Sequence, residues 1–352
     1  MLDRLYLNKD RISSMVDSIK NIIKLPDPVG KNIDAWSRPN GLKISTRRIP
    51  LGVIGIIYES RPNVTSDAAA LCIKSGNCSI LKGGKESFFS SSKIIDSIHI
   101  GLEKAGLPKK IIQNIPSKSR ETVNYLLKMN EYIDIIIPRG GKGLIKAITK
   151  NTTIPVISHL DGICHTYIDK YAKKEIAVSV SINAKMRRTG ICGATETILF
   201  HSKADISILK ELIIKLLNLK CEVRGDKKVK KINKKVILTK NLDWDTEYLK
   251  PIVSIKIVSD LEAAIKHINI HGSGHTDAII TQNKNIAKNF MTKVDSAIVM
   301  HNTSTQFSDG GEFGMGAEIG IATGRMHPRG PVGLKELTTY KYTVEGKGQI
   351  RN

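Results

Sequence analysis

Between residues 8 and 24 apolar side chains recur every three to four positions. Ile12, Met15, Val16, Ile19, Ile22 and Ile23 share one face, which predicts an amphipathic helix. Asn8 or Asp10 can cap it, and Pro26-Asp27-Pro28 stops it. The period then shortens. Residues 33–36 and 42–48 read as a hairpin around Arg38-Pro39-Asn40-Gly41. From 51 to 58 the run Leu-Gly-Val-Ile-Gly-Ile-Ile-Tyr is continuously apolar, as in a strand buried on both faces of a parallel sheet.

Helix and strand alternate from there. The pattern predicts helix 66–74, strand 77–82, helix 87–105 closed by Gly106-Leu107-Pro108, strand 111–115, helix 120–128 and strand 133–137. Pro138-Arg139-Gly140-Gly141-Lys142-Gly143 opens a further helix. Such a series builds a doubly wound α/β layer, which binds ligands at the carboxyl ends of its strands. A second α/β series starts near Ala172, with helices 206–219, 260–270 and 285–294 and strands 235–239, 251–258, 277–281 and 297–300. The lysine-rich stretch 227–235 reads as a solvated surface. Residues 302–331 are glycine-rich without periodicity, and so long a loop in a compact domain is usually functional. Residues 337–344 read as an edge strand that pairs with another subunit. The expected organisation is α/β, with two doubly wound domains at 1–170 and 171–325. A hairpin at 32–50 is inserted in the first, and a return segment, 326–352, completes a small β element.

Composition narrows the class. With 41% hydrophobic and 25% charged residues, the chain is that of a globular protein with real cores. No apolar run reaches membrane-span length, and the N-terminal residues carry no signal-peptide pattern. The cysteines Cys72, Cys78, Cys164, Cys192 and Cys221 are scattered singly, which fits a reducing cytoplasm and argues against a disulfide framework and against a zinc site. A net charge of +22 invites a nucleic-acid reading, but the lysines are dispersed and aromatics make up only 5%, so stacking platforms are scarce. The charge suits an anionic substrate or cofactor better.

One stretch carries chemistry. Cys192 stands between Gly190 and Gly193-Ala194, with Lys185, Arg187 and Arg188 upstream and a β-rich run, 195–200, downstream. A thiol attacks as its thiolate, which nearby cations and free N–H groups favour, and flanking glycines let a carbonyl approach. The same stretch also fits a small buried cysteine.

Several further segments complete a pattern. They are Gly52-Val-Ile-Gly-Ile-Ile-Tyr-Glu-Ser-Arg-Pro-Asn63, Leu81-Lys-Gly-Gly-Lys-Glu86, Ile137-Pro-Arg-Gly-Gly-Lys142, His159-Leu-Asp-Gly-Ile-Cys-His165, Asp245-Thr-Glu-Tyr-Leu249, Gly272-Ser-Gly-His275 and Asp309-Gly-Gly-Glu-Phe-Gly-Met-Gly316. Together they resemble the gamma-glutamyl phosphate reductases, a family within the aldehyde dehydrogenase superfamily, over about residues 2–349. The resemblance implies an aldehyde dehydrogenase-like fold. It implies NADPH-dependent reduction of L-glutamyl 5-phosphate to L-glutamate 5-semialdehyde and phosphate, in cytoplasmic proline biosynthesis. Glutamate 5-kinase would then be the upstream enzyme, and the assembly a homo-oligomer built through the 33–48 hairpin and the C-terminal strand.

The resemblance also assigns roles. Cys192 becomes the nucleophile. The backbone N–H of Cys192 or Gly193 donates to the oxyanion, and Arg61 and Asn63 fall where the superfamily places a further donor. Lys82, Gly83, Gly84 and Lys85 fall where the adenosine ribose and its 2′-phosphate bind. Arg139, Gly140 and Gly141 precede a helix N-terminus suited to pyrophosphate. Glu247 matches the glutamate that holds the nicotinamide ribose, and Leu249 packs on the ring. In the 302–309 loop Ser304 and Thr305 would bind the substrate carboxylate, with Asp309 or Glu312 on its ammonium and Asn183 nearby. His271 and His275 read as loop-shaping residues, and no metal is implied. The chain differs from the family pattern at Met186-Arg187, Thr189, Gly193 and Gln306, and family members carry a helical segment before its first residue. A second reading is therefore a catalytically weakened relative with a non-enzymatic or binding role. A third is a dehydrogenase working in the oxidative direction, which the lack of a water-activating glutamate at 159–164 opposes.

Overall fold

The computed structural model describes residues 5–351. The chain forms two compact units, Met1–Ser158 with Gly314–Asn352, and His159–Phe313. These boundaries differ from the expected 170/171 and 325/326, for a physical reason at each end. The strand Cys164–Ile168 hydrogen-bonds into the second sheet, so the chain has changed unit before residue 170. Ala317, Ile319 and Ala322 pack into the first unit's core, so it has returned before 325.

The first unit opens with helix α1 (Lys9–Lys24), whose first turn is closed by Asn8 Oδ1 accepting the Arg11 N–H at 2.9 Å. The hairpin follows as β1 (Asn32–Ser37) and β2 (Lys43–Pro50). Then come β3 (Val53–Tyr58), α2 (Pro62–Lys74), β4 (Cys78–Lys82), α3 (Phe88–Lys104), β5 (Ile112–Asn114), α4 (Glu121–Leu126), β6 (Ile135–Arg139) and α5 (Lys142–Asn151). Helix α2 begins four residues before its expected start because Pro62 fits the first helical position, where its missing N–H costs nothing. The strands form a parallel sheet in the order β5-β4-β3-β6. The carboxyl ends of β3, β4 and β6, at Tyr58, Lys82 and Arg139, therefore share one edge.

The second unit begins with β7 (Cys164–Ile168) and α6 (Lys174–Met186), followed by β8 (Thr195–His201) and α7 (Ile206–Asn218). Next come β9 (Glu222–Gly225), α8 (Lys227–Ile232), β10 (Ile237–Leu238), β11 (Ile252–Val258), α9 (Leu261–His271), β12 (Thr276–Ile280), α10 (Lys284–Lys293) and β13 (Ile298–His301). They build a seven-stranded parallel sheet in the order β10-β9-β11-β8-β7-β12-β13. Strand β8 lies near its middle and every residue of it is buried, which suits its apolar and threonine residues and requires a partner for Glu196. The lysine-rich stretch presents the solvated surface expected, in part as a short helix. Asp226 caps α8, and Val229 is buried beneath it, while the lysines face outward.

The chain then re-enters the first unit through the short pair β14 (Ile321–Ala322) and β15 (Gly330–Pro331), and ends in β16 (Thr338–Glu345). Residues 337–344 fall in an edge strand, as expected, at the end of the three-stranded sheet β1-β2-β16. Strand β16 pairs antiparallel with β2 of the same chain along its whole length, Thr338 opposite Pro50 through Glu345 opposite Lys43. Leu337 seats the start of β16 in the first unit's core, which fixes the register. Among the described residues no helix is long and apolar enough to cross a membrane.

Candidate active site

Cys192 sits half-buried in the turn between α6 and β8. The Ala194 N–H donates to the Ile191 carbonyl at 3.0 Å and closes that turn. Two contacts fix its backbone. The Cys164 thiol donates to the Cys192 carbonyl at 3.1 Å. Gly162 lies so close that a Cβ there would stand 2.2 Å from the same oxygen. Gly193 is equally confined, since a Cβ would meet Ser308 Oγ at 2.5 Å and the Thr305 carbonyl at 3.1 Å. Only glycine fits both places, so the sulfur is carried on a backbone with little room to shift. Lys185, one of the upstream cations, does not face the thiol freely. It is fully buried and donates to Glu196 on β8.

That pair supports the neighbouring segment. Burial pushes the Glu196 carboxyl up to about 7, against the pull of Lys185. Its other oxygen accepts the Leu249 N–H at 3.2 Å. Leu249 has φ of 51°, a strained backbone for leucine, and is partly exposed. Two residues earlier, Glu247 Oε1 accepts the Gly162 N–H at 3.0 Å. The 247–249 segment is thus tied on one side to Gly162 and on the other to Glu196, bracketing the cysteine turn. Cys192, Gly193, Glu247 and Leu249, separate in sequence, are brought together in this unit.

Beside the turn lies a cleft of about 440 Å³, lined among others by Ser179, Asn183, Arg187, Ser304, Gln306 and Glu312. Of the expected substrate residues, Asn183, Ser304 and Glu312 reach it. Thr305 does not, because it is fully buried with its Oγ1 3.0 Å from Thr195 Oγ1. Asp309 is exposed and turns inward on its own loop, accepting the Gly311 N–H at 2.8 Å. Gln306 is nearly buried, and its Nε2 donates to the carbonyls of Asn183 at 3.1 Å and Ala184 at 2.9 Å. It thereby pins the loop to the end of α6. Arg187 was not among the expected binding residues; it lines the cleft from just beyond α6 and brings a cation to the same cleft as Glu312. The same unit gathers His159, Cys192 and His275, whose ligand atoms all lie within 4.8 Å of one another.

The other expected cofactor residues, Lys82 to Lys85 and Arg139 to Gly141, lie in the first unit, at the shared carboxyl edge of β3, β4 and β6. Lys82 is buried, which holds its ammonium below the ordinary lysine pKa, and it donates to the Gly83 carbonyl at 3.1 Å. A Cβ at Gly83 would meet the Tyr58 ring at 3.2 Å, and one at Gly84 would meet Ser60 Oγ at 2.6 Å. Lys85 opens the short helical turn that follows. Ser60 Oγ donates to Glu86 at 2.6 Å, a bond that keeps this exposed carboxyl below its usual range. Arg139 pairs with Glu318 at 3.5 Å, while its Nε is buried without a hydrogen-bond partner among the described residues. Gly140 has no room for a side chain against Glu59, and Gly141 caps α5 with no side-chain bond, so the helix N–H groups face outward. An anionic dinucleotide fits this cradle of close glycines, two lysines, an under-bonded arginine and a helix N-terminus. Arg61 caps α2, and Asn63 sits exposed in its first turn, bonded to Asp67.

Comparison with known proteins agrees with the fold. Residues 6–231 and 237–342 match the aldehyde dehydrogenase family. The chain is 52% identical over 351 residues to the gamma-glutamyl phosphate reductase of Paramagnetospirillum magneticum, covering 100% of this chain and 83% of that one. It is 53% identical to that of Rhodospirillum rubrum, covering 82% of its length. The crystal structure of gamma-glutamyl phosphate reductase from Thermotoga maritima superposes with a TM-score of 0.97 at 44% identity, over 99% of this chain and 84% of that chain. A propionaldehyde dehydrogenase from Rhodopseudomonas palustris shares the fold at 15% identity, with a TM-score of 0.71 over 96% of this chain and 89% of that chain. Matched by the family over nearly its whole length and about half identical to these reductases, the chain belongs to the aldehyde dehydrogenase family of oxidoreductases, among the gamma-glutamyl phosphate reductases.

Proposed function

We propose that this enzyme reduces L-glutamyl 5-phosphate to L-glutamate 5-semialdehyde and phosphate, using NADPH, as a step of proline biosynthesis. The observation that carries the reading is the pairing of the Cys192 turn with a cleft whose charges match an amino acid. Arg187 would take the α-carboxylate and Glu312 the α-ammonium, with Asn183 and Ser304 lining the same cleft. In this mechanism the Cys192 thiolate attacks the acyl carbon, the bond to the phosphate oxygen breaks, and phosphate leaves with the electron pair. A thioester remains on Cys192. The backbone N–H of Cys192 or Gly193 stabilises the oxyanion in each acyl step, a contribution of roughly 3 kcal/mol for a well-placed donor. Arg61 and Asn63 are proposed as further donors toward the acyl phosphate. The chemistry the cofactor contributes is a hydride to the thioester carbon. The resulting adduct then collapses to the aldehyde and restores the thiolate.

Lys82, Lys85, Arg139 and the α5 N-terminus would hold the anionic parts of the cofactor, with Gly83, Gly84, Gly140 and Gly141 allowing close approach. Lys82 and Lys85 favour a 2′-phosphate. The Glu86 carboxylate, next in sequence to Lys85, accepts from Ser60. Glu247 and Leu249 are assigned to the nicotinamide ribose and ring. Ile33, Trp36, Tyr340, Tyr342 and Val344 of the antiparallel sheet are exposed, and this apolar surface is the proposed homo-oligomer contact.

The reverse reaction tests the reading. Glutamate semialdehyde with phosphate and NADP⁺ should yield NADPH in a phosphate-dependent way, and Cys192→Ala should lower the rate at least about 10³-fold. Unchanged turnover in Cys192→Ala would refute the nucleophile. Oxidation in phosphate-free buffer would favour the oxidative dehydrogenase instead.

A further inference from the structure

We propose that His159, Cys192 and His275 form a binding site for a thiophilic divalent cation, zinc above all, which captures the sulfur and makes metal ions reversible inhibitors of this enzyme. The ligand atoms of the three side chains lie within 4.8 Å of one another. In a tetrahedral zinc site, with bonds of about 2.0–2.3 Å, ligand atoms stand roughly 3.5 Å apart, so side-chain rotations of about 1 Å complete the geometry. One thiolate and two imidazoles form a donor set that selects zinc or copper over magnesium or calcium. Three protein ligands leave a fourth position for water.

The surroundings hold the ligands in place. His275 is fully buried at the start of β12, and its Nδ1 lies 2.8 Å from Thr276 Oγ1 and 3.7 Å from Cys164 Sγ. With Nδ1 committed there, Nε2 is the coordinating nitrogen, and the ring orientation is set in advance. The His159 ring stands edge-on to it at 5.2 Å between centroids and is only half-buried, which gives the ion a way in. The Cys192 backbone is fixed through Gly162 and Cys164, while its sulfur turns about χ1 alone. On binding, the Cys192 thiol releases its proton to solvent, the sulfur–zinc bond forms, and the ion sheds water. No electron moves, so a chelator reverses the capture.

Metal binding follows from the geometry alone, whereas inhibition rests also on the nucleophile role proposed above. The test titrates chelator-treated full-length protein with ZnCl₂, and with MgCl₂ as a control. Zinc affinity is read by competition with a chromophoric chelator, and Cys192 accessibility by iodoacetamide labelling and peptide mass. The expected result is a single tight zinc site, zinc-slowed labelling of Cys192 that a chelator restores, and no effect of magnesium. Because loss of a mere supporting contact costs 10–100-fold, His159→Asn and Cys192→Ser should each weaken zinc at least about tenfold. His159 is half-buried, so this variant is chosen over His275, and its fold is checked by circular dichroism. Zinc affinity unchanged in both variants, or labelling unaffected by zinc, would overturn the site. Zinc that binds and protects Cys192 while leaving turnover intact would sustain the site and overturn the nucleophile reading instead.

Discussion

Gly162→Ala should disable the enzyme by moving its sulfur without touching it. The added methyl would stand 2.2 Å from the Cys192 carbonyl oxygen, 2.7 Å from its Cα and 2.8 Å from its carbonyl carbon. Ordinary contact begins near 3.4 Å, and all three obstacles are backbone, so no side chain can swing aside. The turn or the 162 loop must yield by about 1 Å, and a misplacement of that size at a reacting atom costs on the order of 10²-fold in rate. The strain is shared with two partners, because the Gly162 N–H holds Glu247 and Cys164 donates to the Cys192 carbonyl. Overpacking of this kind costs about 1–3 kcal/mol, little enough for the fold to survive. The assay is kcat/KM for phosphate-dependent semialdehyde oxidation, beside a urea titration on the same preparation. A drop of roughly 100-fold with a cooperative unfolding transition is expected. A folded Gly162→Ala enzyme within about threefold of the parent would refute the argument that close approach fixes the nucleophile.

Three further outcomes follow from the same contacts. Gly101→Ala, in α3 with nothing within 4 Å of its Cβ position, should stabilise the protein by about 0.4–1 kcal/mol in urea and leave turnover unchanged. Gln306→Ala strips the carbonyls at the end of α6 of a buried donor, so it should cost about 1–3 kcal/mol and raise KM for the semialdehyde more than it lowers kcat. For Glu196, burial lifts the folded carboxyl to about 7 from its ordinary 4.5. The folded chain then keeps a proton that the unfolded chain releases, so this group's stabilising contribution is complete below about pH 4.5 and is lost as pH rises through 7. The change is on the order of 3 kcal/mol. Glu196→Gln should flatten that slope in urea midpoints measured at about pH 5 and 7.5, and an identical slope in both proteins would refute the assignment.

The architecture was legible wherever a strand or helix imposed its own period. The helix at 8–24, the apolar run ending at Tyr58 and the glycine turns after Lys82 and Pro138 all announce themselves locally. Strand β7 did not, because Cys164-His-Thr-Tyr-Ile168 mixes polar with apolar residues and has no alternation to read. Its polar side chains find partners only in three dimensions: His165 bonds to Asp277, and Thr166 to Thr195. The site was legible in part for the same reason. Cys192 and its glycines stand in one stretch, so the tight turn they form could be read from it. Lys185 and Glu196 flank that stretch and look like ordinary charges, and nothing in their spacing says that both are fully buried. Yet this pair holds Leu249 from below, while Glu247 holds Gly162 and Gly162 confines Cys192. The Cys192 sulfur is positioned less by the residues next to it in sequence than by a chain of contacts through 162, 196 and 247. Substitutions at those three places should therefore misplace the sulfur while leaving the whole cysteine turn intact.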